Sequence, residues 1–219
     1  KTILPKYLTA DITYFIGTIM GDGCICKETS DKRGTRYRVT IDSVTEDILL
    51  SIQKILNDHF GLKTKINEVK RAKRLYVKSL PLAIYLNTIF EIPIGKKSFK
   101  TKIPNIIKDN RKMTYSFLSG IIDTDFGRYG RTMGMSTRSK ELVEDIKWFF
   151  DKERIQYKDK IYMVNDLPAY HIWLDRKSIG KLINTSDSQF KLQNKERKEE
   201  LLRRGAGAWK TGKVEGLVS

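Results

Sequence analysis

Apolar residues recur with helical spacing in two separate segments of the chain, residues 9–23 and residues 114–127. Side chains three and four positions apart share one face of a helix, so each segment is predicted to form a helix with an apolar face. In both segments an aspartate stands near the end and is followed within two positions by glycine. The apolar positions are Ile12, Phe15, Ile16, Ile19 and Met20 in the first segment, and Phe117, Leu118, Ile121 and Ile122 in the second.

Similar patterns follow each of these helices, which indicates an internal repeat. In the first half, the pattern predicts strands at 24–27, 36–43, 62–69 and 74–80, and helices at 45–60 and 81–90. In the second half, it predicts strands within 128–137 and at 156–164 and 169–175, and helices at 139–153 and 177–184. We therefore expect a first half at 1–92, a linker at 93–111, a second half at 112–204 with a last helix at 194–204, and a flexible tail at 205–219.

Small residues line one face of both predicted helices. Gly17 and Gly21 lie four positions apart in the first helix, as do Gly120 and Thr124 in the second. Small side chains let two helix backbones approach closely, so we expect these helices to pack on each other across a pseudo-twofold axis. This helix interface would place the two terminal aspartates side by side.

Asp22 and Asp125 are these aspartates, and their position is unfavourable without a compensating charge. The C-terminal end of a helix carries partial negative charge and unpaired carbonyl groups, and two neighbouring carboxylates repel each other. A divalent cation reverses both effects, because hard metals bind carboxylate and carbonyl oxygens together. The pattern therefore predicts a metal site with the carbonyls of Gly21 and Thr124 as further ligands. The alternative for each aspartate is turn chemistry, since Asp-Gly is common in turns.

The charge of the chain favours a polyanionic partner. The sequence has 42 Lys and Arg residues against 26 Asp and Glu residues, which gives a net charge of +16. Nucleic acid is the commonest partner of so basic a chain, and a basic surface that serves only solubility is the alternative. No apolar run approaches the roughly 20 residues of a membrane helix, and no signal peptide is expected. The spacing of Cys24 and Cys26 fits neither a disulfide framework nor a zinc site, which favours a reducing intracellular compartment.

The two helical segments resemble a known motif. FIGTIMGDG at 15–23 and LSGIIDTDF at 118–126 look like two copies of the LAGLIDADG motif of the homing endonucleases, and their spacing is similar to that of the single-chain, two-motif members. The resemblance covers nearly the whole chain. It implies an α+β fold, built as a pseudo-twofold repeat of αββαββα with two curved antiparallel DNA-binding sheets.

The same resemblance implies a function. It suggests a monomeric, metal-dependent endonuclease of intron homing that cuts double-stranded DNA at one long specific site, leaving 3′ overhangs. Asp22 and Asp125 correspond to the metal-binding catalytic acids, with Mg²⁺ as the expected ion and Mn²⁺ or Ca²⁺ able to occupy the site. Loose resemblance adds Lys97 and Lys191, which lie just past the last helix of each half, as catalytic cations.

Arg138 is a further candidate for a catalytic cation, because it directly follows the early strands of the second half. A nearby cation stabilises the charge that develops in phosphodiester hydrolysis. Val44 stands at the matching position of the first half, so the pocket is expected to be asymmetric. The alternative role of each of these cations is a phosphate contact or plain surface charge.

One departure from the motif concerns its ninth position, where the first copy has Gly23 and the second has Phe126. Glycine there is expected to allow the left-handed turn that ends the helix, which phenylalanine adopts only with strain. Gly127 is the alternative residue for this turn. Phe126 therefore keeps a second hypothesis open, in which the chain is a non-cleaving nucleic-acid-binding relative such as an RNA maturase for intron splicing.

The predicted strands alternate between polar and apolar positions. Basic and amide side chains on one face of a sheet can enter the major groove of DNA, where base edges are distinguishable. The alternative is a solvated outer face. The expected DNA contacts are Arg36, Arg38, Thr40, Asp42, Lys63, Lys65, Asn67, Arg74, Tyr76 and Lys78 in the first half, and Arg128, Arg131, Lys158, Lys160 and Tyr162 in the second.

Overall fold

The computed structural model describes residues 2–30, 34–97, 99–129, 132–184, 192–193 and 199. Helices and strands alternate in the same order twice along this described part of the chain. The elements of the first half are α1 (Ala10–Gly21), β1 (Gly23–Ser30), β2 (Gly34–Ser43), α2 (Glu46–Phe60), β3 (Lys65–Val69), β4 (Ala72–Lys78) and α3 (Leu80–Phe90). Then come α4 (Asn105–Lys108), α5 (Arg111–Asp125), β5 (Gly127–Tyr129), β6 (Thr132–Thr137), α6 (Lys140–Lys152), β7 (Lys158–Val164), β8 (Leu167–Leu174) and α7 (Arg176–Asn184).

The strands form two four-stranded antiparallel sheets with the same topology. Sheet 1 has the order β1-β2-β4-β3, and sheet 2 has the order β5-β6-β8-β7. Each half therefore has the order αββαββα, with α4 added between the halves. The α+β repeat predicted from the sequence is confirmed.

Local sequence signals fix several element boundaries. The Thr9 hydroxyl caps α1 by accepting a hydrogen bond from the Ile12 amide at 3.2 Å, and Ser79 and Ser139 cap α3 and α6 in the same way. Helix α2 ends at Gly61, whose φ of 63° lies in the left-handed region that favours glycine. The next amide, that of Leu62, returns to the carbonyl of Leu56 at 3.0 Å, so this segment closes the helix end instead of extending the sheet. The strand predicted at 62–69 consequently begins only at Lys65.

The segment predicted as a linker, 93–111, is more ordered than its prolines and lysines suggested. It contains the short helix α4, and the side chains of Ile103 and Ile107 are fully buried. The Asp145 carboxylate of α6 accepts hydrogen bonds from the Ile103 amide at 2.8 Å and from the Lys108 ammonium at 2.6 Å. The buried side chains of Ile103 and Ile107 and the hydrogen bonds to Asp145 thus attach the segment 93–111 to the second half.

The core lies between the helices and one face of each sheet. Helices α1 and α5 stand at its centre and pack along their length, while α2 and α6 cover sheets 1 and 2. Within the described residues, no helix has the length and apolarity needed to cross a lipid bilayer. The helix predicted at 194–204 and the tail at 205–219 lie outside the described residues, apart from Glu199, which is helical.

Candidate active site and nucleic-acid interface

Helices α1 and α5 approach each other through their small residues. A Cβ atom added at Gly17 would lie 2.1 Å from the carbonyl oxygen of Phe117, and one added at Gly120 would lie 2.3 Å from that of Tyr14. Both distances are far below van der Waals contact, so only glycine allows this backbone-to-backbone approach. The contact fixes how the C-terminal ends of the two helices lie relative to each other.

The two aspartates stand where these helices end. Asp22 is the residue that caps the end of α1, whereas Asp125 is the last residue of α5. A Cβ atom added at Gly21 would lie 2.0 Å from the Thr124 hydroxyl oxygen and 3.4 Å from the Asp125 carboxyl carbon. The Asp125 side chain therefore reaches across the interface to the end of α1. Gly21, Asp22, Thr124 and Asp125, the four residues predicted to form a metal site, are together at one end of the helix pair.

The ninth motif position does not use the left-handed turn that the sequence suggested. Neither Gly23 nor Phe126 has a positive φ, and Phe126 leaves α5 in an extended conformation with φ −76° and ψ 126°. Glycine at position 23 serves close packing instead, since an added Cβ atom would lie 2.6 Å from the Cα atom of Ile19. The expected strain at Phe126 is absent, because this residue continues directly into the strand segment and buries its ring in the core.

The Lys97 side chain binds the C-terminal end of α1. Its ammonium group donates hydrogen bonds to the carbonyl oxygens of Ile19 at 2.5 Å, Met20 at 2.9 Å and Gly21 at 2.5 Å. Burial lowers the pKa of Lys97 to about 8, although the carboxylates of Asp125 and Asp22 act in the opposite direction and favour the charged form. The carbonyl groups at the end of α1 and the two aspartates thus make this helix end a site that attracts a cation, and the Lys97 ammonium lies on it.

A pocket of about 310 Å³ opens beside the helix ends. It brings together three of the predicted catalytic groups, Lys97, Asp125 and Arg138. Val44, at the matching position of the first half, is 83% exposed. The pocket is lined by Met20, Gly21, Lys97, Thr101, Asp125, Ser136, Thr137, Arg138 and Leu142. Lys191 lies outside the described residues.

The sequence did not single out several residues around this pocket. The Arg138 guanidinium lies over the ring of Phe99 at 5.8 Å, which orients this cation. Thr101 accepts a hydrogen bond from the buried Ser139 hydroxyl through its carbonyl. Phe99 and Thr101 belong to the segment taken as a linker, and no periodicity in that segment indicated that it lines a site.

A divalent cation fits the donors at this helix end. Among the described residues, no group of three or more His, Cys, Asp or Glu side chains converges on one point. Two carboxylates with neighbouring backbone carbonyls suit Mg²⁺, which usually takes one or two carboxylates and completes its octahedron with waters and substrate phosphates. The Gly21 carbonyl already accepts a hydrogen bond from Lys97, so a cation there would share this oxygen with the lysine.

The register of sheet 1 gathers most of the predicted DNA contacts on one face. Residues directly opposite each other on paired strands share a face, and Val39, Ile41 and Leu75 on the other face are buried. This outer face of sheet 1 has five basic residues and two acidic ones. Its members are Cys24, Cys26, Glu28, Gly34, Arg36, Arg38, Thr40, Asp42, Lys65, Asn67, Val69, Ala72, Arg74, Tyr76 and Lys78.

Two predicted contacts fit this face poorly. Lys63 precedes β3 and lines a separate cavity beside α2 because the chain there closes the helix end. Thr40 is only 9% exposed, so it offers little surface to a ligand.

Ion pairs hold two of the arginines of this face in place. Arg74 donates two hydrogen bonds to its cross-strand partner Asp42, at 2.6 Å and 2.7 Å. This pairing raises the pKa of Arg74 and keeps Asp42 from being a free acceptor. Arg38 pairs with Glu28 at 2.8 Å. The bidentate pair of Arg74 with Asp42 restricts its guanidinium to one orientation, whereas Arg38 contacts Glu28 through its Nη2 nitrogen.

The outer face of sheet 2 has a different composition. Lys158, Lys160 and Tyr162 lie on it, together with two aromatic residues that the sequence did not single out, His171 and Trp173. Its members are Gly127, Thr132, Gly134, Ser136, Lys158, Lys160, Tyr162, Val164, Leu167, Ala169, His171 and Trp173.

Arg128, a predicted DNA contact, is not on this face. Its cross-strand partner is Met133, which is buried and is paired in turn with Leu174. The side chain of Arg128 therefore leaves β5 on the core side of the sheet, at an exposed edge. Arg131 lies outside the described residues.

The two cysteines lie next to the helix end, on the outer face of sheet 1. Their sulfur atoms are 3.4 Å apart, because positions 24 and 26 of a strand point the same way. Both thiols are free and partly exposed. Burial and the Cys26 neighbour raise the pKa of the Cys24 thiol to about 11.

Comparison with known proteins connects this arrangement to one fold. A family model described as the WhiA LAGLIDADG-like domain matches residues 12–83. A solved complex of I-DmoI with DNA and calcium superimposes with a TM-score of 0.67 at 16% identity, covering 87% of this chain and 96% of that one. The chain has the LAGLIDADG homing endonuclease fold.

Two further solved structures share the LAGLIDADG fold. The complex of I-DmoI with DNA and manganese gives a TM-score of 0.58 at 17% identity and covers 83% of this chain and 96% of that one. The LAGLIDADG meganuclease I-AabMI bound to uncleaved DNA gives a TM-score of 0.58 at 12% identity and covers 93% of this chain and 92% of that one. Because these identities are low, the similarity establishes the fold, and activity is a separate question.

Proposed function

We propose that this chain is a LAGLIDADG family member of the single-chain, two-motif type and that it is a site-specific homing endonuclease. Its reaction is a metal-dependent, staggered double-strand break with 3′ overhangs in a long DNA recognition site. The observation that carries the proposal is the pair of helices, in backbone contact at Gly17 and Gly120, that brings Asp22 and Asp125 to one end. One chain provides both aspartates, so we propose that it acts as a monomer.

Charge and surface chemistry support DNA as the partner. The chain has a net charge of +16, and the outer face of sheet 1 presents Arg36, Arg38, Lys65, Arg74 and Lys78. Arginine and lysine in the major groove bind guanine, and asparagine binds adenine. Solved complexes of I-DmoI and I-AabMI, which share the fold, contain DNA.

The residues at the helix ends have separate roles in the proposed reaction. The carboxylates of Asp22 and Asp125 hold a divalent cation with the carbonyls of Gly21 and Thr124. Mg²⁺ is the proposed ion, with Mn²⁺ or Ca²⁺ able to replace it, and when bound it neutralises phosphate charge and acidifies a water molecule. Lys97 and Arg138 line the pocket and stabilise the negative charge that develops on the phosphate.

The test is cleavage of a library of long duplex DNA, first with Mg²⁺ and then with EDTA. We expect double-strand cuts at one sequence with Mg²⁺ and none with EDTA. Asp22→Asn and Asp125→Asn should each abolish cutting while DNA binding persists. Asp11→Asn is the matched control, because Asp11 lies in the first turn of α1, at the end remote from Asp22. Cutting that survives both substitutions at the helix ends would refute the assignment of the site.

The second candidate function is nucleic-acid binding without cleavage, as in an RNA maturase. The observation that favours it is the family model that matches residues 12–83, which describes a LAGLIDADG-like domain and not an endonuclease. Tight, salt-sensitive binding to nucleic acid without any cut in the presence of Mg²⁺ or Mn²⁺ would establish this alternative. Phe126 is unstrained and buried, so this position does not favour the second candidate.

A further inference from the structure

The β7–β8 hairpin exposes apolar side chains to an unusual extent. Every residue of β7 is exposed, and the hairpin turns at Asn165 and Asp166, both with a positive φ. On the outer face of sheet 2, Tyr162 and Leu167 are each 42% exposed, and Val164 lies beside them. Contiguous exposed apolar side chains mark an interaction surface more often than chance.

The corresponding hairpin of the first half has a mainly polar outer face. In β3–β4, Lys65, Asn67, Arg74, Tyr76 and Lys78 lie on this face. The half-buried pair Val69 and Ala72 flanks the turn at the place that the exposed pair Val164 and Leu167 has in β7–β8. The two sheets have the same strand order, so these hairpins occupy equivalent places in the two halves. Next to the turn, the first half therefore offers the hydrogen-bonding pair Asn67 and Arg74 where the second half has Tyr162 and Ala169. The apolar pair that flanks the turn is exposed only in the second half.

Contacts between side chains order the apolar face of the second hairpin. The His171 ring meets Tyr162 edge to face at 6.0 Å and Trp173 at 5.2 Å. The Lys160 ammonium lies over the Tyr162 ring at 4.8 Å. Rings in such mutual contact are positioned before any ligand arrives, which reduces the entropy cost of binding.

This face continues directly from the candidate active site. Ser136 lines the pocket that contains Asp125, and its cross-strand partner is His171, which is paired in turn with Lys160. A duplex that lies over the pocket and follows sheet 2 therefore passes over the rings of His171 and Tyr162 before it reaches Val164 and Leu167 at the end of the hairpin.

We propose that the two halves of the chain read bases of different kinds. The inference rests on the proposed function, since it requires duplex DNA on both sheets. The β3–β4 face reads guanine and adenine by hydrogen bonds from its arginine, lysine and asparagine side chains, whereas Tyr162, Val164 and Leu167 read thymine by contact with its 5-methyl group. Thymine is the base that offers an apolar group in the major groove, so an apolar protein face there selects A·T pairs.

The test begins with selection of bound duplexes from a random library in the absence of Mg²⁺. The selected DNA site should have a thymine-rich stretch in the half that sheet 2 binds. Arg74→Ala should relax the base preference in the half of the site that sheet 1 binds. Uracil lacks the 5-methyl group. Replacing thymine by uracil in the thymine-rich half of the site should therefore weaken binding about fourfold for each contacted methyl. The same replacement in the other half should have no effect.

Leu167→Ser and Met163→Ser form a matched pair of variants, because both residues are exposed on the same hairpin but on opposite faces. Leu167→Ser should weaken binding to the thymine duplex and leave binding to the uracil duplex unchanged, whereas Met163→Ser should match the parent chain on both. Equal losses for the two variants, or a selected site without any dependence on the thymine methyl, would overturn this inference and leave the proposed function standing. If no duplex were selected at all, the proposed function would fall with it.

Discussion

Replacing Gly17 by alanine tests the helix interface on which the site depends. The added Cβ atom would lie 2.1 Å from the Phe117 carbonyl oxygen, 3.0 Å from its carbonyl carbon and 3.2 Å from its Cα atom. All three atoms belong to the backbone of α5 and cannot rotate away. Relief therefore requires the helices to separate by about 1 Å, which loosens the packing along both.

The expected cost follows from two opposing contributions. Overpacking a well-packed core costs about 1–3 kcal/mol, and a clash with backbone belongs at the upper end of that range. Alanine also has a better helix propensity than glycine, which returns about 1 kcal/mol. We therefore expect Gly17→Ala to lower the free energy of unfolding by about 2 kcal/mol, which corresponds to a fall in Tm of roughly 4–8 °C for a chain of this size.

Urea unfolding followed by far-ultraviolet circular dichroism measures this change. Gly120→Ala should give a similar loss, because its Cβ atom would lie 2.3 Å from the Tyr14 carbonyl oxygen. Lys54→Ala, at a side chain of α2 that is 78% exposed, is the control and should change stability by less than about 0.5 kcal/mol. A Gly17→Ala variant that is as stable as the parent chain, or more stable, would show that α1 and α5 are not in backbone contact.

Three further changes test other parts of the structure. Gly21→Ala should destabilise the chain through its clash with the Thr124 side chain, and adding Thr124→Gly should recover part of the lost stability. Additive losses in a double-mutant cycle would refute the contact between these two residues. Glu153→Gln should cost about 1.5–3 kcal/mol at pH 7, because a charged, 7% exposed carboxylate accepts two hydrogen bonds from Arg111. Arg111 lowers the pKa of Glu153 below its usual range, so this stabilisation is present above the usual pKa of a glutamate and is lost as the pH falls through the lowered pKa. Denaturation curves of parent and variant that fail to converge in acid would contradict it. Lys78→Met should reduce the slope of log K for DNA against log salt by about 1, as measured by fluorescence anisotropy, and an unchanged slope would mean that Lys78 does not neutralise a phosphate.

The helix pair could be predicted because its signals are local. Apolar spacing fixed the faces of α1 and α5, and the small residues Gly17 and Gly120 indicated which faces could meet. The αββαββα repeat followed from the resemblance, and the polar face of sheet 1 followed from alternation along β2 and β4. These features depend on residues close in sequence or on a repeated pattern, so a single chain displays them.

The features that sequence missed depend on contacts between distant segments. Phe99 lies beneath Arg138 because the connection folds back on α6, and no pattern near position 99 shows this. Arg128 appeared to continue a basic strand, but its cross-strand partner Met133 places it on the core side. The prediction of strain at Phe126 was wrong because this residue leaves α5 in an extended conformation and makes no left-handed turn.

The paired thiols on β1 offer a way to follow occupancy of the proposed DNA surface without a label. Cys24 and Cys26 are the chain's two cysteines, and both lie on the outer face of sheet 1 beside the end of α1. A duplex seated there would cover them, so the rate of alkylation by a thiol reagent becomes a footprint of bound DNA. Mass spectrometry of the intact chain would count protected and modified sulfurs molecule by molecule.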